Sequence, residues 1–164
     1  MIRAALIAIA LATPAGAGTL DGRQVTFTPM TWHDPAAPEF EARGRTVTVG
    51  TGVEFGMEPE GVINGLTLVP VQVEILPQRI ELSYPNATSG VFYSAPFNGY
   101  VLHFDTECAL FAGWALDRDF TTLPVTDKDI FTDGGALYIN VSGMAYGPDE
   151  RLAVDLDVTD CPIS

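Results

Sequence analysis

The chain has 164 residues, with 8 lysines and arginines against 21 aspartates and glutamates, a formal net charge of −13. A surface this acidic repels nucleic acid and anionic lipid headgroups, so neither is an expected partner. The same acids can keep a protein soluble, hold a divalent cation or suit a salty medium.

The chain opens MIRAALIAIALATPAGA. Arg3 precedes an apolar core from Ala4 to Ala12, Pro14 breaks it, and Ala15-Gly16-Ala17 supplies small residues. That order predicts a secretory signal peptide over 1–17, cleaved after Ala17. The apolar run is too short for a spanning helix, which needs about 20 residues. Removing it leaves one domain over 18–164, 147 residues (164 minus 17) with 7 basic and 21 acidic side chains, a charge of −14. A chain of roughly 150 residues buries about 70% of its unfolded surface, enough for a sizeable core. No later stretch reaches membrane length, and the end, VDLDVTDCPIS, lacks an anchoring helix or basic tail. A free periplasmic or extracellular protein with no integral membrane segment is expected.

From Gln24 onward, period-two alternation recurs. VQVEIL sets Val71, Val73 and Ile75 on one face, and RIELSY sets Ile80, Leu82 and Tyr84 opposite Arg79, Glu81 and Ser83. ALYINV separates Leu137, Ile139 and Val141 from Ala136, Tyr138 and Asn140; RLAVDLDV sends Leu152, Val154, Leu156 and Val158 inward and Asp155 and Asp157 outward. Such runs are half-buried strands. Further strands are expected at 25–28, 46–49, 66–69, 91–94, 100–104 and 109–114. Turns are expected at Gly50, Gly52, Pro77, Pro85-Asn86, Asn98-Gly99, Gly134-Gly135 and Gly147-Pro148, and HDPAAPEFE (33–41) reads as a long surface loop. No mature segment shows a sustained helical period. The fold class is all-β: an antiparallel β-sandwich of about ten strands, jelly-roll or immunoglobulin-like in appearance.

SAPFNGYVLHFDTEC (94–108) gathers a histidine, acids and a cysteine. Asn-Gly suits a two-residue type I′ hairpin turn, because both central residues need positive φ. Pairing through Asn98-Gly99 sets Tyr93, Ala95, Phe97, Tyr100, Leu102 and Phe104 on the core face. It leaves His103 opposite Ser94 on the wetter face, and puts Pro96 on an edge. In this register His103 is a solvated residue and the stretch is architectural. Cys108 and Cys161 form an even pair in an exported chain and are expected to be a disulfide, worth roughly 4 kcal/mol by loop closure.

Candidate chemistry is sparse. His33-Asp34 in TWHDP reads as an Asp-Pro loop. Asp127, Asp129 and Asp133 beside Gly134-Gly135, with Asp117 and Asp119 across a loop, offer oxygens for a structural calcium ion, against the plainer reading of solvated acidic loops. Glu54, Glu58 and Glu60 in GVEFGMEPEG are the candidates for a carboxylate pair, against an exposed acidic turn. No Gly-x-Ser-x-Gly elbow or low-pKa cysteine setting is present. Trp32, Phe92, Tyr100, Trp114 and Tyr146 are candidate sugar-stacking rings, although alternation puts Tyr100 in the core. The sequons at Asn86 and Asn140 read as chance matches in a bacterial-looking export sequence, and Asn140 falls within a strand.

Three stretches, GRTVTVGTGVEF (44–55), APFNGYVLHF (95–104) and LYINVSGMAYGPDERLAVDLDV (137–158), resemble a family of secreted bacterial β-rich domains. Several members carry a C-terminal surface-sorting tag. The matching pattern is a strand ending in Gly-Val-Glu-Phe (52–55), a Phe-Asn-Gly-aromatic turn (97–100) and an aromatic-x-Asn-x-x-Gly stretch (138–144). The resemblance implies export, a β-sandwich and no recognised catalytic residues. The absence of a sorting tag after Asp160 and the Cys108/Cys161 pair depart from the pattern. The combined expectation is a non-enzymatic binding or structural module of the envelope or extracellular space, without a cofactor and with a cell-surface protein or glycan as its partner. The alternatives are a calcium- or carbohydrate-binding module and a carboxylate-dependent hydrolase.

Overall fold

The computed structural model describes residues 18–56, 61–63 and 66–162. The expected signal peptide, Glu58 and Glu60 lie outside them. All regular structure among the described residues is strand, in more segments than the ten or so expected. In chain order these are β1 (Gln24–Trp32), β2 (Phe40–Glu41), β3 (Arg45–Thr48), β4 (Val53–Gly56), β5 (Gly61–Ile63), β6 (Leu66–Leu68), β7 (Gln72–Leu76) and β8 (Arg79–Ser83). They continue with β9 (Gly90–Val91), β10 (Phe97–Phe104), β11 (Phe111–Leu116), β12 (Ile130–Asp133), β13 (Ala136–Asn140), β14 (Ala145–Tyr146) and β15 (Arg151–Val158).

Two large antiparallel sheets result. The first runs β12-β13-β10-β1, with β2 and β3 both pairing along the other side of β1; the second runs β11-β15-β8-β7-β4. The small pairs β9/β14 and β5/β6 complete the pattern. Alternation places the core as expected. Val73, Ile75, Ile80 and Leu82 of the second sheet, with Leu137 and Ile139 of the first, are all buried, while Asp155 and Asp157 are exposed. One face of each sheet feeds a single hydrophobic cluster. Phe27 of β1 stacks on Phe55 of β4 at 5.2 Å, and Phe104 of β10 meets Phe111 of β11 edge-on at 5.7 Å. Burying each such ring contributes about 1.5–3 kcal/mol.

The expected hairpin at Asn98-Gly99 does not form. β10 runs straight through both residues, pairing with β1 over Phe97–Phe104 and with β13 over Gly99–His103. The preceding strand shrinks to β9, which pairs with β14 instead. Three consequences overturn the expected faces. Tyr93 is 63% exposed rather than in the core. Phe97 lies on the face opposite Tyr100, since it starts the outward set Phe97, Gly99, Val101 and His103. His103 pairs with Thr26 and Ala136, not Ser94, and Pro96 belongs to no strand. Gly99 is required here for close approach rather than for a turn. A Cβ on it would stand 1.9 Å from the carbonyl oxygen of Ile139, and glycine inside a strand marks such contacts. By contrast, Pro77-Gln78 and Gly134-Gly135 do form tight connections between β7 and β8 and between β12 and β13, with Gly134 at φ 58°.

Cys108 and Cys161 are joined by a disulfide that links the chain just past β10 to the tail after β15. Arg23 lies buried beside that tail, donating from Nη2 to the Cys161 carbonyl and from Nε to the Thr19 carbonyl, both at 2.7 Å. Thr159 adds a backbone bond to Leu110 and a hydroxyl bond to the Ala109 carbonyl. The tail is therefore clamped to both sheets.

Candidate functional site

Where the Trp32 end of β1 meets the Phe97 end of β10, the first sheet carries a cleft of about 490 Å³. That falls within the size range of small-molecule sites, roughly 300–1,000 Å³. Its floor includes Pro29 and Thr31 of β1 with Asn98 and Tyr100 of β10, and Leu68, Val69 and Val91 add aliphatic wall. Phe40, Phe92, Tyr93 and Tyr146 bring four more rings beside Tyr100. Glu39 supplies the one carboxylate among the described lining residues, and its side chain is half exposed.

A polar lattice holds the cleft's rim in place. The Thr31 hydroxyl donates to Asn98 Oδ1 at 2.8 Å, and Asn98 Nδ2 donates to the Tyr93 carbonyl at 2.8 Å. Asn140 Oδ1 accepts from the backbone N–H groups of Asn98 and Ser142, both at 3.1 Å, while its Nδ2 donates to the Pro96 carbonyl at 3.0 Å. Ser142 exchanges hydrogen bonds with the backbone of Ala95 in both directions. Asn98, Asn140 and Ser142 thus fasten the irregular segment 92–96 onto β10 and the 140–144 turn. Short side-chain amides and hydroxyls suit this task because they replace the ladder bonds that an irregular segment cannot make. The Phe-Asn-Gly and Asn-x-x-Gly stretches of the sequence meet here.

Tyr84 is fully buried behind Phe92, with Tyr100 as its phenolic neighbour. Burial pushes the Tyr84 phenol well up, with Tyr100 adding to the rise. Burial also pushes up Tyr100, partly offset by the Tyr84 hydroxyl and reinforced by Tyr146. Both folded values exceed the ordinary phenol value of 10.0, so their contribution to stability is complete below it and lost as pH rises beyond it. Of the five tyrosines, two should stay un-ionised in native-state absorbance titration past roughly pH 11 and ionise only with alkaline unfolding. Reversible ionisation of all five in the folded protein would contradict this.

The outer face of the first sheet carries a second group of rings. Trp32 stacks on Phe97 at 3.8 Å, and Phe131 stacks on Tyr138 at 4.6 Å, with Tyr138 edge-on to both Trp32 and Phe97. Phe97 is thereby buried on the outward face, while Phe131 remains 42% exposed. The Tyr138 phenol is raised by burial and by Asp133. Of the rings expected to stack sugars, only Trp32 belongs to this group. Phe92, Tyr100 and Tyr146 line the cleft, and Trp114 packs against the core from β11. Phe97 and Phe131 escaped the sequence reading because the false hairpin assigned Phe97 inward and β12 had no alternating signal, whereas Tyr138 lies on the outward face that the alternation of ALYINV predicts.

The remaining candidates are dispersed. His33 Nδ1 contacts Glu39 at 2.8 Å on the loop after β1, and Asp34 caps that loop by accepting from the N–H of Ala36. His103 is exposed on the outer face. Asp127 pairs with Arg118, and Asp129 accepts from the backbone and hydroxyl of Thr126. Asp117 binds Arg79, which also holds Glu81 and Asp155. That contact, with backbone donors from Phe120 and Asp119, keeps the Asp117 carboxyl below its usual range. Asp119 itself is exposed. Glu54 accepts from the N–H groups of Gly50 and Ile75, bridging the irregularity in β4. Among the described residues, no group of three or more His, Cys, Asp or Glu is placed to hold a metal ion. Asn86 sits in its expected exposed turn, and Asn140 is committed to the lattice above.

Comparison with protein-family models, with curated proteins and with solved structures finds no match to the chain.

Proposed function

We propose that this chain is an exported, non-enzymatic β-sandwich of the envelope or extracellular space that binds a small, largely apolar ligand in the cleft between β1, β10 and the 91–93 segment. The lining carries the reading: five rings, four aliphatic side chains (Leu68, Val69, Val91 and Val141), Pro29, Met30 and only a few polar groups surround a cavity of ligand size. Rings and aliphatics adhere by excluding water, and a few fixed polar atoms orient what binds. Export is supported by the signal-like N-terminus and the disulfide. The sandwich is supported by the single hydrophobic cluster shared by the two sheets. The resemblance of the Phe-Asn-Gly and Asn-x-x-Gly stretches to secreted bacterial β-rich domains agrees with both.

The test uses the neutral dye N-phenyl-naphthylamine, which brightens in apolar sites. The protein should bind it. Val69→Trp, which fills the cleft from its wall, should weaken binding at least about tenfold, a change of about 1.4 kcal/mol. Val53→Trp, at a position 49% exposed on β4 and outside the cleft lining, should leave it unchanged. Equal binding by the Val69 variant and the parent, with both folded by circular dichroism, would overturn the assignment.

A further inference from the structure

The lining narrows the ligand further. Phe40, Phe92, Tyr93, Tyr100 and Tyr146 surround the cleft, Glu39 stands with them, and neither lysine nor arginine occurs among the described lining residues. Phe92 and Tyr146 are in ring contact, 4.5 Å between centroids at 46°. Aromatic faces carry negative potential and attract a cation that is weakly hydrated enough to leave water. The Glu39 carboxylate at the rim, whose Oε1 meets His33 Nδ1 at 2.8 Å, adds a point charge of the same sign. The whole chain, at −13, draws cations toward any concave surface. A metal ion does not suit such walls, because calcium and magnesium demand several oxygen ligands. An ammonium bearing alkyl groups does, since its methyl surface is apolar and its charge is spread.

We infer that the cleft binds a small, free alkylated ammonium compound, held by its aromatic lining and Glu39; this deepens the cleft-binding reading above and rests on it. The cavity is large enough to take such a molecule whole, which favours a free solute over a lipid headgroup whose acyl chains would stay outside.

Calorimetric titration of the full mature protein with choline, and separately with its uncharged carbon isostere dimethylbutanol, isolates the charge from the shape. Choline should bind about tenfold more tightly. Glu39→Gln should bring the two affinities closer together, and added salt should weaken choline binding while sparing the alcohol. Tyr146→Leu, which removes a half-buried ring, should weaken choline more than dimethylbutanol. Equal affinity for the two probes, or no choline binding by protein that still binds N-phenyl-naphthylamine, would overturn the inference while leaving the apolar cleft standing. Failure of the dye itself removes both. Co-sedimentation with phosphatidylcholine vesicles, without binding of free choline, would overturn the assignment to a free solute.

Discussion

Replacing both Cys108 and Cys161 with serine is expected to lower the free energy of unfolding by about 4 kcal/mol. The two residues are 53 apart in sequence, and the chain-entropy estimate depends on that separation alone, because the bond acts by restricting the unfolded ensemble. The cost should appear as a lower urea midpoint. The slope should change as well, since an unlinked chain exposes more surface when it unfolds. The native structure has reason to survive the loss in part. Arg23 still holds the Cys161 carbonyl, and Thr159 still bonds to Ala109 and Leu110. Native-state hydrogen exchange should therefore show faster opening of the tail before the sheets are affected. A double variant less than about 1 kcal/mol below the parent would show that loop closure is not how the bond stabilises this fold.

Gly99→Ala is expected to destabilise the protein by about 3 kcal/mol or more, an overpacking cost at the upper end of the usual range. The added methyl group would meet the Ile139 carbonyl oxygen at 1.9 Å, its carbon at 2.9 Å and the Asn140 Cα at 3.0 Å. All three are backbone atoms of β13, so no rotamer change relieves the clash. β10 and β13 must separate where Gly99 pairs with Asn140. That would also strain the Asn140 contacts to Asn98 and Pro96 that shape the cleft rim. Gly50→Ala is the control. It meets nothing within 4 Å and has no positive φ, so it should be neutral or slightly stabilising through the unfolded chain. Thermal melts of the two variants settle the comparison. Similar melting temperatures would mean that β10 and β13 can part cheaply at this point.

The contrast between well-read and misread segments has a physical basis. RLAVDLDV and RIELSY showed their faces because each strand has one dry side and one wet side, and the alternation records that difference directly. Asn98-Gly99 misled because the dipeptide satisfies two unrelated requirements. Glycine can supply positive φ at a turn or an absent side chain at a close approach, and local sequence does not distinguish them. The error then propagated, because in a strand every residue's face depends on the register of its neighbours. Phe97 and Tyr93 were both assigned inward for that reason alone. The short strands β2 and β14 were invisible because two residues show no period, and of the strand expected at 91–94 only β9 remains. The acids of 117–133 suggested a shared cation, yet Asp117, Asp127 and Asp129 found nearer partners in Arg79, Arg118 and Thr126.

By itself, the sequence determined the all-β class, the inward faces of β7, β8, β13 and β15, and the pairing of the two cysteines. Those properties follow from local periodicity and from a count that admits one intramolecular solution. Tertiary structure alone decided that β10 is central rather than half of a hairpin, and that rings from residues 40, 92, 93, 100 and 146 gather around one cleft. Those residues come from four separate parts of the chain, and only the pairing of distant strands brings them together.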